Sequence, residues 1–258
     1  MQYMEILGHK TWVSVSDNDR EPLLLLHGGR TSTTTMLPVG NLLDPKYRVS
    51  AFDRRGHGRT ADSPEPFHYH TMADETIAVL EAIGGPSHIV GWSDGGNIGL
   101  IVAMRRPDLV KRLVVIGSNF HHDGFSGGSV TDDVRKTLFA DYVDCSPDGP
   151  DHWGVVGEKT RTMWGSEPTL EIADLSTISV PVLVLVGDDD MIKLSHTFAL
   201  YENIAGAQLA VVPGASHAVV LEYPEKVAKI VDDFLTQQLP VVTMMHTRRA
   251  APVTPTLE

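Results

Sequence analysis

The stretch Ile89-Val90-Gly91-Trp92-Ser93-Asp94-Gly95-Gly96-Asn97 constrains this chain more than any other. An apolar strand runs into a Gly-x-Ser-x-Gly turn and then into a helix, the order in which a nucleophile elbow is built. At such a turn the serine takes a left-handed backbone. Strand and helix then approach so closely that a Cβ two residues to either side would collide. Gly91 and Gly95 hold those two positions. The pattern alone is weak in a chain with 23 glycines, so its context carries the weight. Ser87-His88-Ile89-Val90 is extended in character, and Asn97 to Met104 is apolar on nearly every face, as a buried helix must be. Pro107 then stops the helix.

The rest of the chain supplies a scaffold for that turn. Residues 3–16 read as two short antiparallel strands around Gly8. Pro22-Leu23-Leu24-Leu25-Leu26-His27-Gly28-Gly29 is an unbroken apolar run ending in glycines, which suits a strand buried on both faces. Tyr47 to Asp53 is a further strand, and a helix is expected from Met72 to Ile83, ended by Gly84-Gly85-Pro86. Arg112 to Gly117 reads as the strand after the elbow helix. Strand and helix in alternation imply an α/β fold: a mostly parallel central sheet with helices on both faces. From Asn119 to Ser179 the rhythm breaks into polar sequence with modest helices at Val134–Val143 and Gly157–Met163. So long an excursion is usually functional. It is expected to be an inserted, mainly helical cap (119–179) over a core made of residues 1–118 and 180–239. The rhythm returns with a strand at Val180 to Gly187, a helix near Leu194 to Ile204, a strand at Gln208 to Val212 and a helix from Pro224 to Leu235. Residues 240–258 read as a loose tail, and Leu257-Glu258 as a cloning remnant.

Composition removes several classes of function. The formal charge of −12 argues against a nucleic-acid partner, which wants a basic face. No apolar run reaches the length needed to span a membrane, and the first residues lack the profile of a signal peptide. Cys145 is the only cysteine, so no internal disulfide forms and a cytoplasmic home is expected. A small-molecule substrate is the expected partner. Arg54-Arg55-Gly56-His57-Gly58-Arg59-Thr60-Ala61 matches a dinucleotide fingerprint, but loop sequence follows where a helix should open, so no cofactor is expected. His121-His122-Asp123 suggests a metal, but adjacent histidines on one strand or turn are expected to point apart, and no metal is expected.

A serine hydroxyl needs a base, itself oriented by a third group. Two candidates follow predicted strands downstream: Gly187-Asp188-Asp189-Asp190 and Pro213-Gly214-Ala215-Ser216-His217. Parallel strands bring their C-terminal ends to one edge of the sheet, so Ser93, an aspartate and His217 converge there. Asp190 is the preferred acid, with Asp188 and Asp189 as a solvated turn. Among the twelve histidines, His27 is expected to support the glycine loop. The oxyanion donors are expected to be the backbone N–H of Asp94 and that of Gly29, with Arg30 as the alternative to Gly29. Trp92 and Arg30 are further candidates for substrate contact, and Trp153, Met163 and Trp164 are read mainly as cap packing.

The elbow, the His27-Gly28 loop, Asp53-Arg54-Arg55-Gly56-His57-Gly58-Arg59, the turn ending at Asp190 and the late His217 together resemble the α/β-hydrolase superfamily over nearly the whole chain. That resemblance implies Ser93 as nucleophile, Asp190 as acid and His217 as base of a serine hydrolase acting on a small ester. Lactones, amides and carbon–carbon bonds are alternatives, and a ligand receptor on a hydrolase scaffold is an alternative of another class. Within the superfamily, Gly91-Trp92-Ser93-Asp94-Gly95-Gly96 is similar to the elbow of an amino-acid ester hydrolase whose acidic neighbour binds the substrate's α-amino group. By that likeness Asp94 is a candidate amine anchor.

Overall fold

The computed structural model describes residues 1–128, 130–241, 243–245 and 248. Most of the tail from residue 240, including Leu257 and Glu258, lies outside the described residues.

Among the described residues, eight strands follow one another as Gln2–Ile6 (β1), His9–Val15 (β2), Glu21–Leu26 (β3), Tyr47–Phe52 (β4), Ser87–Trp92 (β5), Val110–Ile116 (β6), Val182–Asp189 (β7) and Gln208–Ser216 (β8). They lie side by side in the order β1-β2-β4-β3-β5-β6-β7-β8. The pairs β1/β2 and β2/β4 are antiparallel, and every other pair is parallel. The helices are Leu37–Leu43 (α1), Tyr69–Ala82 (α2), Asp94–Arg105 (α3), Asp132–Cys145 (α4), Trp153–Trp164 (α5), Ile172–Leu175 (α6), Leu194–Asn203 (α7), Val219–Glu222 (α8) and Pro224–Thr236 (α9). Among the described residues, no helix is long and apolar enough to cross a membrane.

Successive strand residues point to opposite faces, and here both faces are covered. Leu24 and Leu26 of β3 therefore enter one hydrophobic cluster with Met72, Val79, Leu100 and Leu200 of α2, α3 and α7. Leu23 and Leu25 enter a second with Val39, Leu43, Val227 and Val231 of α1 and α9. This is why the central strands carry no alternation in their sequence.

Helix α1 and the ends of β7 and β8 depart from the sequence expectation. Helix α1 holds Pro38 and Gly40, both poor helix formers. Proline is tolerated in the first turn, and a Cβ on Gly40 would come within 2.8 Å of Leu25 Cδ1, so close packing on the sheet explains the glycine. Strand β8 runs on to Ser216, and β7 to Asp189, with Asp189 paired to Ser216. Two of the three consecutive aspartates are thus strand residues, and only Asp190 leaves the sheet.

The excursion between β6 and β7 contains α4, α5 and α6. Its two ends meet where His121 bridges to Thr169 and the His122 N–H donates to Pro168 O at 2.7 Å. Asp62, in the loop after β4, accepts from Lys159 Nζ and His152 Nε2 at 2.8 Å each. Burial works to raise the Asp62 pKa, but those bonds outweigh it and hold the carboxyl below its usual range.

Candidate active site

Between β5 and α3, Ser93 adopts φ 54° and ψ −120°. The close approach expected at the elbow is present. A Cβ on Gly91 would lie 2.3 Å from Gly95 O, and one on Gly95 would lie 2.3 Å from Leu26 O. The Ser93 N–H donates to Ile116 O at 2.8 Å, tying the turn to β6. Its Oγ lies 3.0 Å from His217 Nε2. His217 Nδ1 lies 2.8 Å from Asp190 Oδ1, which also accepts from the Ile192 N–H at 2.8 Å. The Asp190 carboxylate is fully buried. Asp188 is turned elsewhere, accepting from the Gly214 N–H at 2.7 Å. One participant is missing from the sequence reading: Gly117, at φ 55°, where a Cβ would lie 3.0 Å from Asp190 Oδ2 and 3.1 Å from His217 Nδ1. Only a glycine leaves the acid and base room to meet there.

The loop after β3 packs against the elbow. A Cβ on Gly28 would lie 3.5 Å from Ser93 Cβ, and one on Gly29 would lie 2.3 Å from Asp94 Oδ2 and 2.6 Å from Trp164 Cζ2. His27 is fully buried and supports this loop. Its Nδ1 lies 2.7 Å from Gly28 O, and its Nε2 accepts the Arg54 N–H at 3.2 Å, so Nδ1 carries the proton. Burial, with Arg54 and His57 nearby, holds His27 well below the usual histidine pKa, so the ring is neutral.

Several candidates sit differently from the sequence reading. Trp92, expected against substrate, is a buried member of the second cluster, and its Nε1 donates to His217 O at 2.8 Å, supporting the base from below. Asp94, expected to hold a substrate amine, is 3% exposed. Its carboxylate accepts from Tyr69 OH at 2.7 Å and from Trp164 Nε1 at 2.9 Å. Both of these short bonds go to Oδ1, while Oδ2, among the described residues, accepts only the longer contact from Trp164 Nε1 at 3.2 Å. Burial raises the Asp94 pKa, while Arg54, Tyr69 and Trp164 pull it down. The sequence reading gives Trp164 a packing role, and Tyr69 and Arg54 carry no local signal of their part in this cluster. Arg30 sits at φ 55° and lays its guanidinium over Trp153 of α5 at 4.2 Å.

The Asp53 carboxylate organises the dinucleotide-like loop. It accepts from the Thr33 N–H at 2.8 Å and the Arg59 N–H at 2.9 Å, and a Cβ on Gly58 would lie 2.3 Å from its Cγ. The glycines let the loop wrap around a buried acid, and no helix opens at them. The rings of His121 and His122 do not point apart as expected: they stack at 4.3 Å and 30°, with Nδ1 atoms 3.5 and 3.4 Å from Asp123 oxygens. The ring nitrogens and an Asp123 oxygen lie within 4.8 Å of one another, close enough for the three side chains to hold a metal ion.

Known proteins match most of the chain. RutD of Caulobacter sp. (strain K31), whose name is that of a carbamate hydrolase, is 29% identical over 248 residues, covering 85% of this chain and 92% of that protein. A pimeloyl-[acyl-carrier protein] methyl ester esterase of Neisseria meningitidis is 28% identical over 241 residues, covering 82% and 75%. In fold, the meta-cleavage product hydrolase of Pseudomonas fluorescens IP01 superposes with a TM-score of 0.78 at 21% identity, over 91% of this chain and 97% of that one. The sequence profile of the alpha/beta hydrolase family matches residues 23–230, and the chain belongs to that family.

Proposed function

We propose that the chain is a serine hydrolase that cleaves a small ester through an acyl-enzyme intermediate. The observation that carries this reading is the unbroken relay from Asp190 through His217 to Ser93, with the serine held at a positive φ. His217 Nε2 takes the Ser93 proton as Oγ attacks the acyl carbon, then gives it to the leaving alcohol. Asp190 holds Nδ1–H and stabilises the imidazolium that forms. The N–H groups of Gly29 and Asp94 hold the oxyanion, and water activated by His217 releases the acyl group from Ser93. Residues 119–179 act as a cap over this centre, on the core made by 1–118 and 180–239.

Support for an ester comes from the methyl ester esterase among the relatives. An amino-acid ester is not favoured, because the Asp94 carboxylate is buried and its Oδ1 already accepts from Tyr69 and Trp164. Labelling by a fluorophosphonate, together with burst kinetics on p-nitrophenyl acetate, tests the reading. Wild type should label and show a burst, and Ser93→Ala should do neither. If wild type labels no more than Ser93→Ala, the chain is a binding protein on a hydrolase scaffold.

A further inference from the structure

Arg54 is fully buried, with one face toward the glycine loop and Asp94 nearby. A buried guanidinium is expensive to desolvate, so its partners reveal what it is there to hold. Two of its nitrogens donate to consecutive carbonyls of the loop, Nη1 to His27 O at 2.6 Å and Nη2 to Gly28 O at 2.8 Å. Its own N–H donates to His27 Nε2. With both carbonyls drawn toward Arg54, the peptide planes on either side of Gly28 have little freedom to rotate. The N–H of Gly29 belongs to the second of those planes.

A second observation points the same way. Gly29 packs directly on the Asp94 carboxylate, so an acid lies beside the place where an oxyanion would form. At an effective dielectric near 20, like charges a few ångströms apart repel by enough to slow a reaction about tenfold or more. Burial raises the Asp94 pKa and lowers that of Arg54, and the attraction between the two groups opposes both shifts.

We infer that Arg54 is the positioning residue of the oxyanion site: it orients the Gly29 N–H through the two loop carbonyls and offsets the Asp94 charge packed against that loop. The inference rests on the serine-hydrolase reading above. Its test uses the full chain, with active sites counted by fluorophosphonate labelling so that unfolded protein does not enter the rates. Per labelled site, Arg54→Met should lower kcat on p-nitrophenyl acetate about tenfold or more, with KM changed far less, because the loss falls on the transition state. Affinity for an alkyl trifluoromethyl ketone, whose adduct with Ser93 carries the oxyanion, should weaken by a similar factor. Adding Asp94→Asn to Arg54→Met should recover part of both losses. If Arg54→Met does not fold, Arg54→Lys replaces it; with one ammonium in place of a two-pronged donor it should still lower kcat and ketone affinity together. Unchanged kcat and ketone affinity per labelled site, with only the melting temperature lowered, would overturn the inference. Absence of labelling in wild type would instead remove the hydrolase reading, and this inference with it.

Discussion

Asp188, Asp189 and Asp190 are identical side chains in consecutive positions, and their neighbours give them different work. Asp188 accepts a backbone N–H from Gly214 at the end of the sheet, while Asp190, just past the strand, reaches His217. Asp190→Asn should therefore lower kcat by about 10³–10⁴-fold, since an amide cannot hold the imidazole in its working tautomer or stabilise the imidazolium. Asp188→Asn keeps an acceptor for Gly214 and should leave kcat within about threefold of wild type, as expected for an exposed change away from the reacting atoms. Steady-state hydrolysis of one ester by both variants checks this. Equal losses would mean that the acid is misassigned.

At the scale of an element, α5 shows how one helix face is matched to a loop. Trp153, Gly157 and Trp164 lie four and seven residues apart, so they share a face. That face meets Arg30 through Trp153 and Gly157, and meets Asp94 through Trp164. At Gly157 there is a tight contact, since a Cβ there would lie 3.3 Å from Arg30 Nη2. Gly154 has none: a Cβ there meets nothing within 4 Å. Gly154→Ala should stabilise the protein by about 0.5–1 kcal/mol, raising the melting temperature by about 1–4 °C, through the entropy that glycine loses on entering a helix. Differential scanning calorimetry measures this. A lower melting temperature would mean that this turn of α5 is not helical in solution.

For the molecule as a whole, the loops after β3 and β4 keep neutral histidines inside the fold, and this couples stability to pH. Burial, reinforced by Arg54, pushes the His57 pKa down to about 3. In the unfolded chain it titrates near the ordinary value of about 6.5. Below that pH the unfolded state binds a proton that the folded state refuses, so the stabilisation present above ~6.5 is lost as pH falls, by about 1.4 kcal/mol per unit. Buried acids such as Asp94 and Glu75, whose pKa values burial raises, act in the opposite sense, so the share of His57 is isolated by difference. Between pH 7 and pH 5, His57→Gln should lose about 2 kcal/mol less than wild type in urea unfolding. Parallel losses in the two proteins would show that His57 is protonated in the fold. The elements and the elbow were legible in the sequence because they rest on local physics. Apolar runs report burial, and Gly91 and Gly95 report backbone contact across a turn. The convergence of Ser93, Asp190 and His217 was legible too, since parallel strands end on one edge. Not legible were the inward turn of the Asp94 carboxylate, the burial of Arg54 behind the glycine loop and the room left by Gly117. Each depends on groups that arrive from distant parts of the chain: Tyr69 and Trp164 at Asp94, His27 and Gly28 at Arg54, Asp190 and His217 at Gly117. By itself the sequence determined where the chain bends and which faces it hides. Only the tertiary structure decided which charges face one another, because electrostatic partners are chosen by distance through space and not along the chain.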